Sequence, residues 1–177
     1  MAKATQVYKN PQPGQPLITT IITGCSTPLL DVKFCNLVKP FYYQNSPSIP
    51  RYSVTCLIDP LIHKDFVKQI QTIEKNEGVE SIIKNETAKD EHGEHNNTGN
   101  VLLKFQSKDK IPVFVKDESE EPSQIDLEDE LAKGEKIIIV YDILRYTKKN
   151  TMKTEHGISI KPSCIYYYPS QALHRKE

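Results

Sequence analysis

Most of this chain consists of short runs of β-forming residues, and this feature restricts its fold more than any other. The clearest run is Leu29–Lys39, in which every second residue belongs to one mainly apolar set: Leu30, Val32, Phe34, Asn36 and Val38. A repeat of two residues is the spacing of a β-strand that buries one face. We therefore predict a strand here, with that set on its buried face.

Further runs of the same kind follow along the chain, and one segment has a different spacing. Phe66, Ile70 and Ile73 recur at intervals of four and three residues, which predicts a helix ending near Asn76, with Asp59 as its N-cap. Six or seven strands with one helix indicate an all-β barrel or sandwich. The other predicted strands are Leu17–Thr23, Arg51–Ile58, Val101–Gln106, Ile111–Val115, Glu135–Tyr146 and Gly157–Tyr168.

The length of 177 residues fits one domain with flanking segments. We expect an extended arm at residues 1–16, the folded domain at 17–169 and a short tail at 170–177. Within the domain, the polar composition of 77–99 predicts a flexible insertion. The carboxylate-rich stretch 117–130 predicts a solvated acidic loop.

The sequence lacks the motifs that would indicate an enzyme. It has no nucleophile elbow, phosphate-binding loop or dinucleotide-binding glycine pattern, and His92 and His95 lie in the segment predicted to be flexible. We therefore expect no catalysis, no cofactor and no bound metal. The N-terminus has no apolar leader, and no apolar run is long enough to cross a bilayer. We expect a protein of the cytoplasm, which is the host cytoplasm if the chain is viral.

The chain has 23 basic and 23 acidic residues, so a nucleic-acid function must depend on where the charges lie and not on their sum. Single-strand binding proteins need cations that follow phosphates and aromatic rings on which bases stack. Tyr141 and Tyr146 lie among the basic residues of the last two predicted strands and their connection. An equally weighted alternative is that Tyr141 packs in the core and the lysines only solubilise a hairpin. The basic residues of this region are Lys136, Arg145, Lys148, Lys149, Lys153 and Lys161, against Asp142 and Glu155.

A second cluster combines Phe41, Tyr42 and Tyr43, in a predicted loop, with Arg51 at the start of the next strand. Neighbouring exposed aromatic residues are uncommon on a surface that has no partner. Adjacent residues on an extended chain point to opposite sides, so at least one of the three can belong to the core.

Three stretches carry a family resemblance: Arg51–Pro60 (RYSVTCLIDP), Gly134–Tyr146 (GEKIIIVYDILRY) and Gly157–Pro162 (GISIKP). With a helix after the first stretch and a polar loop after the second, the chain resembles the single-stranded DNA-binding proteins of bacteriophages. The resemblance covers most of residues 29–168. It implies a mainly all-β fold, an OB-like five-stranded barrel with extra strands and one inserted helix.

The resemblance also implies a function and a set of contacts. The protein would bind single-stranded DNA without sequence preference in viral DNA replication and recombination. Polymerase and helicase would be further partners. Whether the protein forms a homodimer is left open. Bases would stack on Tyr42, Tyr43 and Tyr146, with Tyr141 as a further candidate. Phosphates would meet basic side chains, namely Arg51, Arg145, Lys148, Lys149, Lys153 and Lys161.

One departure from the family leaves a second function open. Well-known members end in an acidic, aromatic-tipped tail that recruits polymerase and helicase, whereas this sequence ends in Leu173–Glu177, which has mixed charge. The acidic loop at 117–130 would then have to take over recruitment. The alternative function is a protein-interaction or assembly module on the same barrel that uses this acidic loop as its contact.

Overall fold

The computed structural model describes residues 5–6, 17–44, 46–116, 121–149 and 154–169. Ten strands and one helix lie within these ranges. The strands are β1 (Thr5–Gln6), β2 (Leu17–Ser26), β3 (Leu30–Tyr43), β4 (Ser46–Ile58), β5 (Lys84–Lys89), β6 (His95–Ser107), β7 (Val113–Val115), β8 (Ser123–Ile125), β9 (Lys136–Lys149) and β10 (Thr154–Tyr167), and the helix is α1 (Lys64–Glu77).

Five of the strands form an antiparallel barrel in the order β6-β4-β3-β9-β10. The first and last strands of this series, β6 and β10, also pack against each other and bring its two ends together. The remaining strands extend the sheet: β5 pairs with β6, β2 with β9, and β7 runs parallel to β10. The predicted OB-like barrel with extra strands and one helix is therefore confirmed.

The core follows from the two-residue repeat of the barrel strands. The β9 strand places alternate side chains inside, where they are fully buried: Ile137, Ile139, Tyr141 and Ile143. They meet the inward residues of β4 and β6, namely Val54, Cys56, Ile58, Leu103 and Phe105. The helix adds Phe66, Val67 and Ile70 to this core, which is the apolar face that its spacing predicted.

The start of the helix differs from the prediction. Asp59 does not cap it, because its Oδ1 accepts the backbone N–H of Leu61 at 2.9 Å and so closes a turn ahead of the helix. The helix begins at Lys64 after His63, whose side chain makes no capping hydrogen bond. It ends at Glu77 and is capped by Gly78, whose positive φ of 65° suits a residue without a side chain.

The polar stretch predicted to be a flexible insertion contains regular structure. Strands β5 and β6 pair there as a two-stranded ribbon, with Asp90–Gly93 in its turn. Glu86 on this ribbon is buried and forms an ion pair with Lys33 of β3 at 2.5 Å. The ribbon is therefore fastened to the barrel.

Strand β3 departs from its predicted pattern because an extra residue interrupts its pairing with β4. Val32 pairs with Cys56, but Phe34 pairs with Thr55, so Lys33 has no opposite residue. Such a bulge reverses which side chains face the core. Phe34 consequently lies outside, and the expectation that it shares the buried face with Val32 is wrong.

Among the described residues, no helix has the length and apolar character needed to cross a membrane. Nor does any group of three or more acidic, histidine or cysteine residues within those ranges have the arrangement of a metal site.

Candidate nucleic-acid interface

Two cations and two aromatic rings form a compact group on the outer face of β3, β4 and β6. The rings of Phe41 and Tyr43 meet edge to face, with centroids 5.1 Å apart and planes at 89°. Lys104 Nζ lies 4.5 Å from the Phe41 centroid, and Arg51 Cζ lies 5.8 Å from the Tyr43 centroid. We call these four residues the cation–aromatic cluster. Their separations are within the range of cation–π attraction.

The placement of the cluster follows from the strands that carry it. Lys104 lies between Leu103 and Phe105, both of which are buried, so its own side chain must leave the opposite face of β6. Tyr43 is 41% exposed, and its hydroxyl donates a hydrogen bond to Gln106 Oε1 at 3.2 Å, which links the end of β3 to β6. The cluster thus spans three strands.

Arg51 has an unused hydrogen-bond donor within this cluster. Its Nη1 atom is buried and has no acceptor in the parts of the chain that the structure describes. Leaving a buried donor unpaired is costly, and the fork of a guanidinium group matches the oxygens of a phosphate. Because Nη1 itself is shut off from solvent, an outside anion would be drawn by the charge of the half-buried guanidinium group and of the exposed Lys104 ammonium group, and not by Nη1.

Phe34 extends the same face with an exposed ring. It is 58% exposed, and the register places Phe34, Thr55 and Lys104 side by side across β3, β4 and β6. The ammonium group of Lys33 lies 5.7 Å from the Phe34 centroid. A large exposed ring next to cations is the arrangement on which a nucleic-acid base can stack.

Neither Phe34 nor Lys104 was predicted from the sequence to be a site residue. A single lysine between Leu103 and Phe105 in a predicted strand was a usable signal for an outward cation. Nothing in the sequence alone marked Phe34, because its exposure depends on the bulge at Lys33, which only the pairing with β4 reveals.

Among the sequence-predicted aromatic residues, Tyr42 and Tyr43 lie on opposite sides of β3. Tyr43 joins the cluster, whereas Tyr42, which is 53% exposed, points away from it. Phe41, Tyr42 and Tyr43 do not lie in a loop as predicted, since β3 runs to Tyr43 and β4 begins at Ser46.

Tyr141 does not lie on any surface. It is 1% exposed, its ring packs at 61° to that of Phe105 with centroids 5.6 Å apart, and burial raises the pKa of its hydroxyl. The interpretation that Tyr141 packs in the core is correct, and the ring is not accessible for stacking on a base.

Tyr146 lies half-buried at the edge of a cleft of about 720 Å³. It pairs with Gly157 of β10, and a Cβ atom on Gly157 would overlap the tyrosine ring. Residues 78–84, which follow α1, form the opposite wall of this cleft, and His156 also lines it. The tyrosine ring therefore rests directly on the glycine backbone.

Arg145 and Lys161 of the β9–β10 hairpin each have an acidic neighbour. Arg145 is exposed and lies 3.5 Å from the carboxylate of Glu77 at the end of α1. Lys161 is exposed and is paired in register with Asp142. The side chains of Lys148 and Lys149, and all of Lys153, lie outside the described residues.

In the described part of the acidic stretch predicted as a solvated loop, residues 121–130, the carboxylate of Glu130 is not free. Glu130 accepts three backbone hydrogen bonds from β3, while Asp126, Glu128 and Asp129 are exposed. Burial works to raise the pKa of Glu130, but the backbone N–H groups outweigh it and hold the pKa below its ordinary value. Glu130 is therefore a charged, structurally engaged carboxylate.

Comparison with solved structures extends these observations to the whole chain. No protein-family model matches the sequence, and neither does any curated protein. The single-stranded DNA-binding protein of bacteriophage Enc34, solved in complex with single-stranded DNA, is similar at a TM-score of 0.56 and 14% identity, over 94% of this chain and 96% of that one. The single-stranded DNA-binding protein gp2.5 of bacteriophage T7 is similar at 0.55 and 12% identity, over 81% of this chain and 90% of that one.

This chain has the fold of the bacteriophage single-stranded DNA-binding proteins. A truncated form of the Enc34 protein matches over 95% of both chains with a TM-score of 0.52. The likeness in fold therefore includes the strands outside the barrel as well as the barrel itself. At identities of 12–15%, the sequences share the fold without sharing most of their side chains.

Proposed function

We propose that this protein binds single-stranded DNA without sequence preference through the outer face of β3, β4 and β6. The observation that carries the proposal is the cation–aromatic cluster, in which the exposed Lys104 and the half-buried Arg51 lie against the rings of Phe41 and Tyr43. These two positive charges would attract a phosphate group. Phe34, the exposed ring next to the cluster, would stack on a base regardless of its identity.

The position of this surface in the fold supports the proposal. OB folds bind oligonucleotides on the face of their second and third barrel strands, and with the loops that join strands one to two and four to five. In chain order the five barrel strands here are β3, β4, β6, β9 and β10. The face in question is that of β4 and β6, which carry Arg51 and Lys104. The two loops are the β3–β4 turn and the β9–β10 connection.

The hairpin residues predicted from the sequence lie on β9, in its connection to β10 and on β10. We retain Arg145, Lys148, Lys149 and Lys153 as proposed phosphate contacts, with Lys161 further along β10. Tyr146 remains a proposed stacking residue at the edge of its cleft, and Tyr42 one on the far side of β3. Tyr141 is withdrawn because its ring is buried.

A protein that coats single strands in this way would act by binding and not by catalysis. Its role would be to protect single-stranded DNA during phage replication or recombination, as an accessory to polymerase and helicase. The Enc34 protein, whose fold it shares, has been solved with single-stranded DNA, which supports this assignment.

The test is a fluorescence-anisotropy titration of a labelled oligothymidine strand, with oligouridine and duplex DNA of equal length, at about 50 and 200 mM salt. We expect tight binding to the DNA strand that weakens steeply with salt, because each phosphate contact releases counterions. Duplex DNA should bind far more weakly. Oligouridine would bind equally well if the surface reads only bases and phosphates.

The matched variants are Lys104→Ala, in the cluster, and Lys68→Ala, on the exposed side of α1. Each removes one positive charge, so a nonspecific charge effect would change both affinities equally. We expect only Lys104→Ala to weaken binding. Absence of strand binding by the wild-type protein at low salt would refute the proposal, and the exposed carboxylates of the acidic stretch would then become the surface to test for protein partners.

A further inference from the structure

The cation–aromatic cluster exists because β3 and β4 change register just before it. Asn36 pairs with Ser53, and the next residue of β3 that pairs with β4 is Phe41, which lies opposite Arg51. Four residues of β3, Leu37–Pro40, therefore lie opposite Tyr52 alone. If the earlier register had continued, Phe41 would face Ser48 instead of Arg51.

This wide bulge leaves backbone donors of β3 without partners on β4. Pro40 has no N–H, so the bulge contains three donors, those of Leu37, Val38 and Lys39. Backbone donors in a partly buried strand need acceptors, because water cannot serve all of them. Leu37 is fully buried, so its N–H would cost the most free energy of the three if it had no acceptor.

One carboxylate supplies all of these acceptors. Glu130 Oε1 accepts the N–H of Leu37 at 2.6 Å and that of Val38 at 2.8 Å, and Oε2 accepts that of Lys39 at 2.8 Å. The Cys35 thiol adds a longer contact of 3.4 Å to Oε1. Every N–H of the bulge is therefore bound by Glu130, which takes the place of the missing neighbouring strand.

We propose that Glu130 is a positioning residue for the DNA-binding surface: it holds the bulge open and so sets the register in which Phe41 faces Arg51. The inference rests on the proposed function for its link to DNA. It assigns a role to the acidic stretch different from repulsion of DNA or recruitment of a partner. Glu130 acts on DNA only through the residues it positions.

The test compares Glu130→Gln with Glu128→Gln, which removes the same charge from an exposed site two residues away. An amide cannot accept all three N–H groups, because its nitrogen is itself a donor. We expect Glu130→Gln to weaken oligothymidine binding about tenfold and Glu128→Gln to leave it unchanged or slightly tighter. In NMR spectra, Glu130→Gln should also lose the cross-strand nuclear Overhauser contact between Phe41 and Arg51.

A double variant tests the route of the effect. Because Glu130 acts through Phe41, adding Glu130→Gln to Phe41→Ala should cost much less affinity than adding it to the wild-type protein. Equal costs in the two backgrounds would overturn the inference. Should Glu130→Gln fail to fold, Glu130→Asp, which shortens the reach by one methylene, carries the same comparison.

The outcomes separate this inference from the proposed function. If folded Glu130→Gln binds DNA as well as wild type, or more tightly, the positioning role is wrong and the acidic stretch acts by charge. If the wild-type protein does not bind DNA, the proposed function fails. The NMR contact between Phe41 and Arg51 then decides by itself whether Glu130 sets the β3–β4 register. Its persistence in Glu130→Gln would then refute the register effect as well.

Discussion

Phe41 faces Arg51 across the β3–β4 pair, three residues out of the register that holds at Asn36 and Ser53. The shift brings two rings and two cations together on the same outer face as the exposed ring of Phe34. It also leaves Arg51 with a buried donor that has no acceptor in the described ranges. This register shift therefore places the cation–aromatic cluster, whereas the separate bulge at Lys33 turns the stacking ring of Phe34 outward.

The planar shape of the Arg51 side chain, as well as its charge, should contribute to the affinity for single-stranded DNA. We expect Arg51→Lys to raise the dissociation constant for oligothymidine about five- to tenfold, because an ammonium group lacks the planar fork. The slope of log affinity against log salt should stay the same in Arg51→Lys, since the number of cations is unchanged. In Arg51→Ala that slope should fall by about 0.7.

Titrations at four salt concentrations distinguish these cases, with Lys68→Ala as a control for loss of a remote charge. Wild-type affinity in Arg51→Lys would show that the planar fork of Arg51 has no role in binding DNA.

Phe34 should contribute to binding without contributing to stability. Phe34→Ala removes a ring that is 58% exposed, so the free energy of unfolding should change little. The free energy of binding should fall by about 1–3 kcal/mol if one base stacks on the ring. Leu61→Ala is the matched control, because Leu61 is 89% exposed and lies in the turn before α1, on no barrel strand. Equal affinities of the two variants would exclude Phe34 as a stacking residue.

Phe34 also shows where prediction from the sequence ends. The alternation in Leu29–Lys39 correctly predicted a strand and the burial of Leu30 and Val32. It failed beyond the bulge at Lys33, because a bulge depends on which residues of another strand lie opposite. The five barrel strands, their order along the chain and the barrel itself were predictable, because hydrophobic alternation and family-like segments are local signals.

The candidate site was less predictable for the same reason. Arg51 and Tyr43 were identified because an aromatic run next to a cation is visible in the sequence. Lys104 joins them only through the β4–β6 register, and Glu130 acts from more than 90 residues away in sequence. Contacts of that kind have no sequence signature in a single chain.

The ion pair between Lys33 and Glu86 predicts a specific pH dependence. The hydrogen bonds from Lys33 and Thr98 hold the pKa of Glu86 below its ordinary value. A carboxyl group with a lowered pKa in the folded state adds stability that is complete above its unfolded pKa of about 4.3. That stability is lost as the pH falls through the folded pKa.

Glu86→Gln should therefore lower the free energy of unfolding at pH 7, by about 1–3 kcal/mol, and the deficit should shrink towards pH 3. Urea denaturation at pH 7, 5 and 3 measures this, with the exposed Glu94→Gln as the control on the same ribbon. A deficit that does not change with pH would show that the effect comes from packing and not from the charge.

Tyr141 should affect stability and not DNA binding. Tyr141→Ala opens a cavity next to Phe105 and should cost about 3–5 kcal/mol of unfolding free energy. Tyr141→Phe keeps the ring and should leave the affinity for oligothymidine unchanged. A loss of affinity in Tyr141→Phe, with its melting temperature preserved, would contradict the core assignment and restore Tyr141 as a contact.

Tyr146 and Gly157 provide the last prediction, because the ring of one rests on the backbone of the other. Gly157→Ala places a methyl group where the tyrosine ring lies, so the ring must move out into the cleft between β10 and residues 78–84. If Tyr146 stacks on a base from its present position, Gly157→Ala and Tyr146→Ala should weaken oligothymidine binding to a similar extent. The double variant should then be no worse than either single one.

If Tyr146 is only a packing residue, Gly157→Ala should lower the melting temperature while the affinity stays at the wild-type value. Adding Tyr146→Ala removes the overlap and should then recover part of the lost stability, since the new methyl group no longer meets a ring. Thermal melts and anisotropy titrations on the three variants separate the two roles, because stacking predicts a shared loss of affinity and packing predicts a shared change in stability.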